Sequence, residues 1–203
     1  DLFDQKIPAK KCRELLLVPT TCGTGSEVTN VSILEFVEKR SKFGLAVDAL
    51  YADHAVLIPE LLEQLPFSVF ATSSIDAFVH AIESYISPRA TIFSEVYSRL
   101  AMEMILRAYP QVLENGKKLT PELTKTFLVA SCYAGIAFGN AGTGPVHAMS
   151  YPLSGGYHVA HGEANYVFLT TVFKKYQQLQ PDGKIRQLNA FLADLLGCGT
   201  EGV

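Results

Sequence analysis

The periodicity of the hydrophobic residues changes near residue 58 of the chain. Before that point, apolar residues form short runs or alternate with polar ones, a pattern that is typical of β-strands. Beyond it, apolar residues recur at intervals of three and four over long segments, which is typical of amphipathic helices. The sequence therefore predicts a first part with strands, residues 1–58, and an all-helical second part, residues 59–203.

The first part contains four predicted strands and one glycine-rich loop. The strands are expected at residues 13–18, 28–36, 42–48 and 55–58. The first of them, RELLLV, is a short apolar run that ends at a proline, and this predicts a buried strand entering a turn. The loop TTCGTGSE, residues 20–27, follows it. We interpret this part as the end of an α/β domain.

The second part contains six predicted helices, and so the chain as a whole is expected to be mainly α. Thr120 and Pro121 form a good helix start, because threonine caps the N-terminus and proline suits the first turn. Asn115 followed by Gly116 forms a good helix stop. We expect these helices to pack as a bundle. They are predicted at residues 59–65, 68–86, 91–114, 121–139, 162–179 and 184–196.

Four side chains in the helical part suggest metal chemistry. Asp76 and His80 lie four residues apart in SSIDAFVHAIESY, so a helix places them on one face. His147 and His161 lie in GPVHAMSYPLSGGYHVAHGEANY, where glycines permit close packing. One carboxylate and three imidazoles suit Fe²⁺ or Zn²⁺. By its spacing alone, an Asp-x-x-x-His pair more commonly forms a capping or surface hydrogen bond than a metal site, so both interpretations stay open.

The amino-acid composition limits the classes of protein to which the chain can belong. The 203 residues are 48% hydrophobic and 18% charged, which is typical of a globular protein. The net charge is −3 and no basic stripe is present, so we expect no nucleic-acid partner. No apolar run approaches about 18 residues, so no membrane span is expected. The four cysteines lack CxxC spacing, which predicts free thiols in a reducing cytoplasm.

Three motifs between residues 19 and 166 occur in a characteristic order: PTTCGTGSEVT, then DAFVHAIESY, then HAMSYPL with a further histidine in HGEANY. With these motifs the chain resembles the iron-dependent (group III) alcohol dehydrogenase family. The resemblance implies a dehydroquinate synthase-like architecture, an NAD- or NADP-linked oxidoreductase, and Fe²⁺ or Zn²⁺ held by Asp76, His80, His147 and His161 at the cleft that faces the first part. It also implies a homo-oligomer acting on a small alcohol or aldehyde.

Family members are longer on both sides, so the resemblance implies that this chain is an internal or C-terminal piece. The first part, residues 1–58, would then be the remnant of an NAD(P)-binding domain, and residues 59–203 would be the metal-binding catalytic domain. The Gly-rich pyrophosphate loop would lie in the missing front.

The loop TTCGTGSE would lie near the nicotinamide end of the cofactor, by the same resemblance. From its sequence alone it is more typical of an ordinary tight turn, because it has neither GxGxxG nor a Walker lysine. Lys42 equally fits a solvated lysine. The positions carried over from the family are Thr20, Thr21, Gly23, Thr24 and Thr29, with Val31 against the nicotinamide ring and Lys42 beside the cofactor.

One position departs from the family pattern. Many members have a histidine four residues after the third metal ligand, as a proton-relay or positioning group, where this chain has Tyr151. Tyr151 or His158 is therefore predicted to relay the alcohol proton. The alternative is that Tyr151 only packs and that His158 is a surface residue.

The same segments are most similar to the 4-hydroxybutyrate dehydrogenase branch, which implies interconversion of 4-hydroxybutyrate and succinate semialdehyde. A butanol- or propanediol-type alcohol is the alternative substrate. Three other classes also stay open: a dehydroquinate synthase-like enzyme, a metal-dependent hydrolase or lyase, and a non-catalytic helical domain stabilised by metal. Binding of NAD(P)H separates a dehydrogenase from a hydrolase, which does not need it.

Overall fold

The structure is a computed structural model that describes residues 2–4, 6–39 and 41–203. It is mainly helical, which confirms the predicted fold class. The strands precede the long helices, as the hydrophobic pattern indicates. In chain order the elements are β1 (Leu16–Leu17), β2 (Val31–Phe36), β3 (Ser41–Ala46), β4 (His54–Ala55), α1 (Phe67–Ile86), α2 (Ile92–Glu114), α3 (Pro121–Ala141), α4 (Pro145–Tyr157), α5 (His161–Leu179) and α6 (Lys184–Leu196).

The strands form two small sheets. β2 and β3 make an antiparallel hairpin in which Val31 lies opposite Ala46, and β1 pairs in parallel with β4. The prediction that the first strand is buried is wrong, because Leu16 is 54% exposed. Among the described residues β1 pairs with β4 alone, so its side chains have little to pack against.

The first three α-helices form the centre of the hydrophobic core. α1 packs against α2, α3 and α5, and buried side chains such as Phe70, Met102 and Phe127 fill the space between the helices. Burial of apolar side chains of this size stabilises the fold by roughly 1.5–3 kcal/mol each. The predicted helix start is confirmed, since the Thr120 side chain accepts a hydrogen bond from the Leu123 N–H. α1 is therefore held on several sides, which fixes the side chains it carries.

Two helix predictions need correction. The segment predicted as a helix at 59–65 is a four-residue 3₁₀ helix, Pro59–Leu62, because a proline at position 66 disfavours helical backbone in the residue before it. α4 was not predicted, because Pro152 and two glycines lower its local helix propensity. α4 is stabilised by its packing against α5 and β3, and not by its local propensity. Within the described ranges, every helix is too short or too polar to cross a membrane.

Candidate metal centre and adjoining cleft

α1 presents three ionisable side chains on one face. Asp76, His80 and Glu83 occupy positions i, i+4 and i+7 of this helix, and all three are buried. Buried ionisable groups cost folding free energy unless they are paired with other polar groups. Partners on other elements are therefore required, and α4 and α5 supply them.

α4 and α5 bring two histidines to Asp76. His147 lies in the first turn of α4, and His161 is the first residue of α5. Asp76 Oδ1 lies 3.5 Å from His147 Nε2 and 3.7 Å from His161 Nε2. One carboxylate oxygen and two imidazole nitrogens thus lie within 4.8 Å of one another. The structure brings together three of the four residues predicted as metal ligands.

His80, the fourth predicted ligand, lies beside this group. Its ring stacks on His147 with centroids 4.3 Å apart and on Phe138 with centroids 4.1 Å apart. Its Nδ1 lies 3.3 Å from the Gly23 carbonyl oxygen and 4.0 Å from Asp76 Oδ2. When Nδ1–H donates to Gly23, Nε2 keeps its lone pair, which is the state a metal ligand needs.

The contacts of Asn165 show whether Asp76, His147 and His161 fit a metal ion. Asn165 is buried one turn after His161, and its Nδ2 lies 2.7 Å from Asp76 Oδ1, 3.2 Å from His147 Nε2 and 3.4 Å from His161 Nε2. An amide nitrogen carries two hydrogens, so it cannot satisfy three acceptors at once. A divalent cation accepts all three lone pairs, and the carboxylate–imidazole set suits a transition metal. The donor set fits the predicted metal.

The electrostatics of the cluster favour a cation. Burial raises the pKa of Asp76, but the charges of the surrounding histidines and a hydrogen bond from His147 outweigh this effect and lower it to about 2. Burial lowers the pKa of His80 to about 4. Burial also disfavours charged His147, yet its hydrogen bonds to Asp76 and Glu83 raise its pKa to about 9. Asp76 is therefore anionic near neutral pH and draws positive charge to this point.

Glu83 was missed by the sequence reasoning. Its buried carboxylate accepts hydrogen bonds from the backbone N–H groups of Gly144 and Val146, and lies 2.7 Å from His147 Nδ1. Burial raises the pKa of Glu83, but the hydrogen bond and charge of His147 lower it further, so the net shift is downward. Its position seven residues after Asp76 on one helix was the signal that could have identified it. Asn165, four residues after His161, carried a similar signal.

A cleft of about 500 Å³ opens beside the cluster. We call its side formed by α1, α4 and α5 the helical wall, and its side formed by β2 and β3 the hairpin wall. Val31, Ile33 and Glu35 alternate along β2 and face the cleft, and Glu35 lies opposite Lys42 on β3. Burial first, and then the charges of His147 and Lys42, lower the pKa of His161. The hairpin wall thus brings a positive charge towards the helical wall.

Four of the seven predicted cofactor positions line this cleft, namely Thr24, Thr29, Val31 and Lys42. The other three, Thr20, Thr21 and Gly23, are not among the lining residues. Gly23 packs against α1 instead, since a Cβ atom there would lie 2.7 Å from the Ser73 carbonyl oxygen. Its backbone therefore supports His80 from behind the cleft.

The two predicted relay residues lie in different places. Tyr151 lines the cleft one turn after His147, and its ring centroid lies 5.8 Å from that of His161. Burial raises its pKa, and the charges of Asp76 and Glu83 raise it further. His158 is exposed at the end of α4 with a φ of 55° and is not among the cleft-lining residues. The structure brings only Tyr151 of the pair to the cluster.

The whole chain is similar to known proteins. The model described as "Fe-containing alcohol dehydrogenase family, C-terminal" matches residues 70–202, and "Iron-containing alcohol dehydrogenase" matches residues 1–59. A 4-hydroxybutyrate dehydrogenase of Clostridium kluyveri is 53% identical over 198 residues, which cover 98% of this chain and 53% of that protein. The chain spans about half the length of the curated relatives it matches.

Solved structures show the same architecture. A 1,3-propanediol oxidoreductase superposes with a TM-score of 0.84 at 31% identity, over 97% of this chain and 50% of that one. A sulfoacetaldehyde reductase from Bifidobacterium kashiwanohense, solved in complex with NAD⁺, has a TM-score of 0.74 at 28% identity, over 80% of this chain and 43% of that one.

Proposed function

This chain belongs to the iron-containing alcohol dehydrogenase family, and on that premise we propose that it forms the catalytic part of an NAD-linked enzyme that interconverts 4-hydroxybutyrate and succinate semialdehyde. The observation that carries the proposal is the cleft in which Asp76, His147 and His161 face Thr29 and Val31. The likeness to the Clostridium kluyveri 4-hydroxybutyrate dehydrogenase supports the choice of substrate.

In this proposal, Asp76, His80, His147 and His161 hold Fe²⁺, with Zn²⁺ as the alternative ion. When bound, the ion supplies Lewis acidity towards the alcohol or aldehyde oxygen, and NAD⁺ supplies the hydride acceptor. The residues of the chain position these groups. Asp76, His80 and His147 are buried, which limits the access of water to three of the four ligands and strengthens their interaction with a cation.

The hairpin wall would hold the nicotinamide end of NAD, with NADP as the alternative cofactor. Val31 offers an apolar surface for the nicotinamide ring, and the hydroxyls of Thr24 and Thr29 offer hydrogen bonds to ribose or carboxamide oxygens. Lys42 adds positive charge close to His161, which suits the oxygen atoms of the cofactor. Thr20, Thr21 and Gly23 would support the cofactor site indirectly, by fixing the conformation of the loop.

Oxidation of the alcohol releases one hydride to NAD⁺ and one proton to water. We assign the transfer of this proton to Tyr151, whose ring lies beside His161 in the cleft. In this role the phenol is protonated before the reaction, so Tyr151 acts as a relay and not as a phenolate base. Its Oη accepts the alcohol proton while its own proton passes to water in the cleft. His158 is the less favoured relay because it is exposed at the end of α4.

The family resemblance also leads us to propose a homo-oligomer that acts on small alcohols and aldehydes in the cytoplasm. The four cysteines are all free thiols, which is consistent with a reducing compartment.

The test begins with metal analysis of the full-length protein purified without added metal. We expect about one iron or zinc per chain, as for a mononuclear site, with loss of the ion in His147→Ala. The matched control is His54→Ala, because His54 is an exposed histidine paired with Glu14 outside the cleft. Elemental analysis of the three proteins checks this.

Activity is measured on the same samples as reduction of NAD⁺ by 4-hydroxybutyrate, butanol and 1,3-propanediol. We expect the highest kcat/KM with 4-hydroxybutyrate. Absence of metal after anaerobic reconstitution with Fe²⁺ or Zn²⁺ would show that the histidines are structural. A metal-loaded protein that binds no NAD(P)H would instead point to the hydrolase class.

A further inference from the structure

We propose that Glu83 is a positioning residue that sets the tautomer and orientation of His147, so that Nε2 and not Nδ1 faces the metal. This inference rests on the metal site of the proposed function. Among the described residues no hydrogen bond joins Glu83 to Asp76 or His161, and its contacts are with His147 and the backbone at the start of α4. The role of Glu83 can therefore be tested separately from the roles of the metal ligands.

The contacts of Glu83 converge on the start of α4. Its Oε2 lies 2.7 Å from His147 Nδ1 and accepts from the Gly144 N–H at 2.9 Å, while Oε1 accepts from the Val146 N–H at 2.7 Å. The side chain is 1% exposed, so water does not compete for these bonds. One carboxylate of α1 thus holds the backbone at the start of α4 and the ring of His147.

α4 depends on this carboxylate, since no side chain of its own caps its N-terminus. The first N–H groups of a helix need acceptors, and an anion there also interacts favourably with the helix dipole. Glu83 supplies the acceptor from 61 residues earlier in the chain. The position of His147 relative to Asp76 is therefore decided by Glu83 together with the packing of α4.

The tautomer follows from the chemistry of a carboxylate. An ionised carboxylate only accepts hydrogen bonds, so the nitrogen that faces it must carry the hydrogen. With Nδ1 engaged by Glu83, Nε2 is the nitrogen of His147 that can give a lone pair to a metal ion. Nε2 lies 3.5 Å from Asp76 Oδ1, so it faces the cluster. Metal-binding histidines are commonly oriented in this way by a carboxylate on the second ring nitrogen.

The residue at position 144 is also adapted to this contact. A Cβ atom on Gly144 would lie 2.7 Å from Glu83 Oε1, which is closer than non-bonded atoms approach. The close approach of backbone to carboxylate thus requires glycine at this position. Displacement of Glu83 by a side chain here is a second way to disturb His147.

The test uses Glu83→Gln in the full-length protein, with Glu103→Gln as the matched control, because Glu103 is an exposed carboxylate paired with Arg107. Glutamine keeps the shape but presents an N–H₂ group, which favours a proton on His147 Nε2. Zn²⁺ affinity is measured by competition with a chromophoric chelator. We expect about 10- to 100-fold weaker binding in Glu83→Gln and no change in the control. Equal Zn²⁺ affinity in a folded Glu83→Gln variant would overturn the proposal.

A wild-type protein that binds no Zn²⁺ would refute the proposed function and, with it, this inference. Zn²⁺ binding in the wild type with unchanged affinity in Glu83→Gln would refute only the role of Glu83. The two failures are thus distinguishable.

A second measurement decides the question even when Glu83→Gln does not fold. ¹⁵N NMR of the Zn²⁺-loaded wild type, with labelled histidine and the His147 signal identified by its loss in His147→Asn, reports which ring nitrogen carries hydrogen. We expect a protonated Nδ1 and a metal-bound Nε2 at His147. The opposite assignment would overturn the proposal. A purely structural role for Glu83 would leave the His147 signal unchanged in Glu83→Gln, so the same spectrum of the folded variant separates the two roles.

Discussion

The helical wall and the hairpin wall of the cleft differ in how their side chains are held. On the helical wall, Asp76, His80, Glu83, His147 and Asn165 are buried and joined to one another by hydrogen bonds or ring stacking. The hairpin wall consists of two strands joined by backbone hydrogen bonds, and Ile33, which faces the cleft from β2, is 40% exposed.

The difference shows where the site is pre-organised. Buried polar groups that satisfy one another form a network, so that a change to one member disturbs the others. A side chain on an exposed hairpin affects mainly what it contacts directly. We therefore expect changes within the buried network of the helical wall to affect metal binding and chemistry together, and changes on the hairpin wall to affect cofactor binding alone.

The largest expected effect comes from Asp76→Ala on the helical wall. Asp76 is the anion that faces His147 and His161, so its removal takes away the negative charge at the point where the ligands meet. Loss of the ion removes several kcal/mol of transition-state stabilisation, which corresponds to a fall in kcat/KM of about 10³-fold or more. Metal content and steady-state kinetics measure this. Asp182→Ala is the control, because Asp182 is exposed and pairs with Arg186. Retention of metal by Asp76→Ala would contradict the assignment.

Tyr151→Phe separates chemistry from metal binding on the same wall. It removes the hydroxyl and keeps the ring that packs beside His161. Loss of a proton relay lowers kcat by about 10²-fold, at the lower end of general acid–base effects. We expect metal content to stay at the wild-type value. His158→Ala is the matched comparison and should retain full turnover; the reverse result for the two variants would assign the relay to His158.

Gly25→Ala tests the contact between α3 and the loop that precedes the hairpin wall. Gly25 has a φ of 56°, and a Cβ atom there would lie 2.5 Å from the Gly135 Cα on α3. Gly116 has a φ of 64° with nothing within 4 Å, so Gly116→Ala reports the strain of positive φ alone. We expect Gly116→Ala to lower the free energy of unfolding by roughly 1–2 kcal/mol. Gly25→Ala should cost about 1–3 kcal/mol more, because of overpacking.

Denaturant unfolding of the two glycine variants measures this difference. Equal destabilisation of both would mean that the contact between the loop and α3 relaxes without cost.

The smallest expected effect comes from Lys42→Ala on the hairpin wall. Lys42 acts through its charge at the cleft, so its loss should raise the KM for NAD⁺ by about 5- to 10-fold, equivalent to roughly 1 kcal/mol. Metal content should not change. Lys125→Ala, at an exposed position of α3, is the control. A changed KM for 4-hydroxybutyrate with an unchanged KM for NAD⁺ would move Lys42 from the cofactor to the substrate carboxylate.

Local sequence patterns predicted those features that depend on neighbours along one helix. The shared face of Asp76 and His80 follows from the helical repeat, and the start of α3 at Thr120 follows from capping chemistry. The family motifs then placed His147 and His161 with them. Each of these inferences needs only the sequence within a few residues, or a motif in a fixed order.

The remaining features of the fold and the site depend on contacts between segments that are distant in the sequence. α4 forms despite Pro152 because Glu83 supplies acceptors for its N-terminus and α5 packs beside it. The same fold brings Tyr151 to the cleft and leaves His158 exposed. The sequence determined which residues are able to bind a metal, since that depends on their own chemistry. Only the tertiary structure decided which of them meet and which nitrogen of His147 faces the others, because these depend on partners tens of residues away.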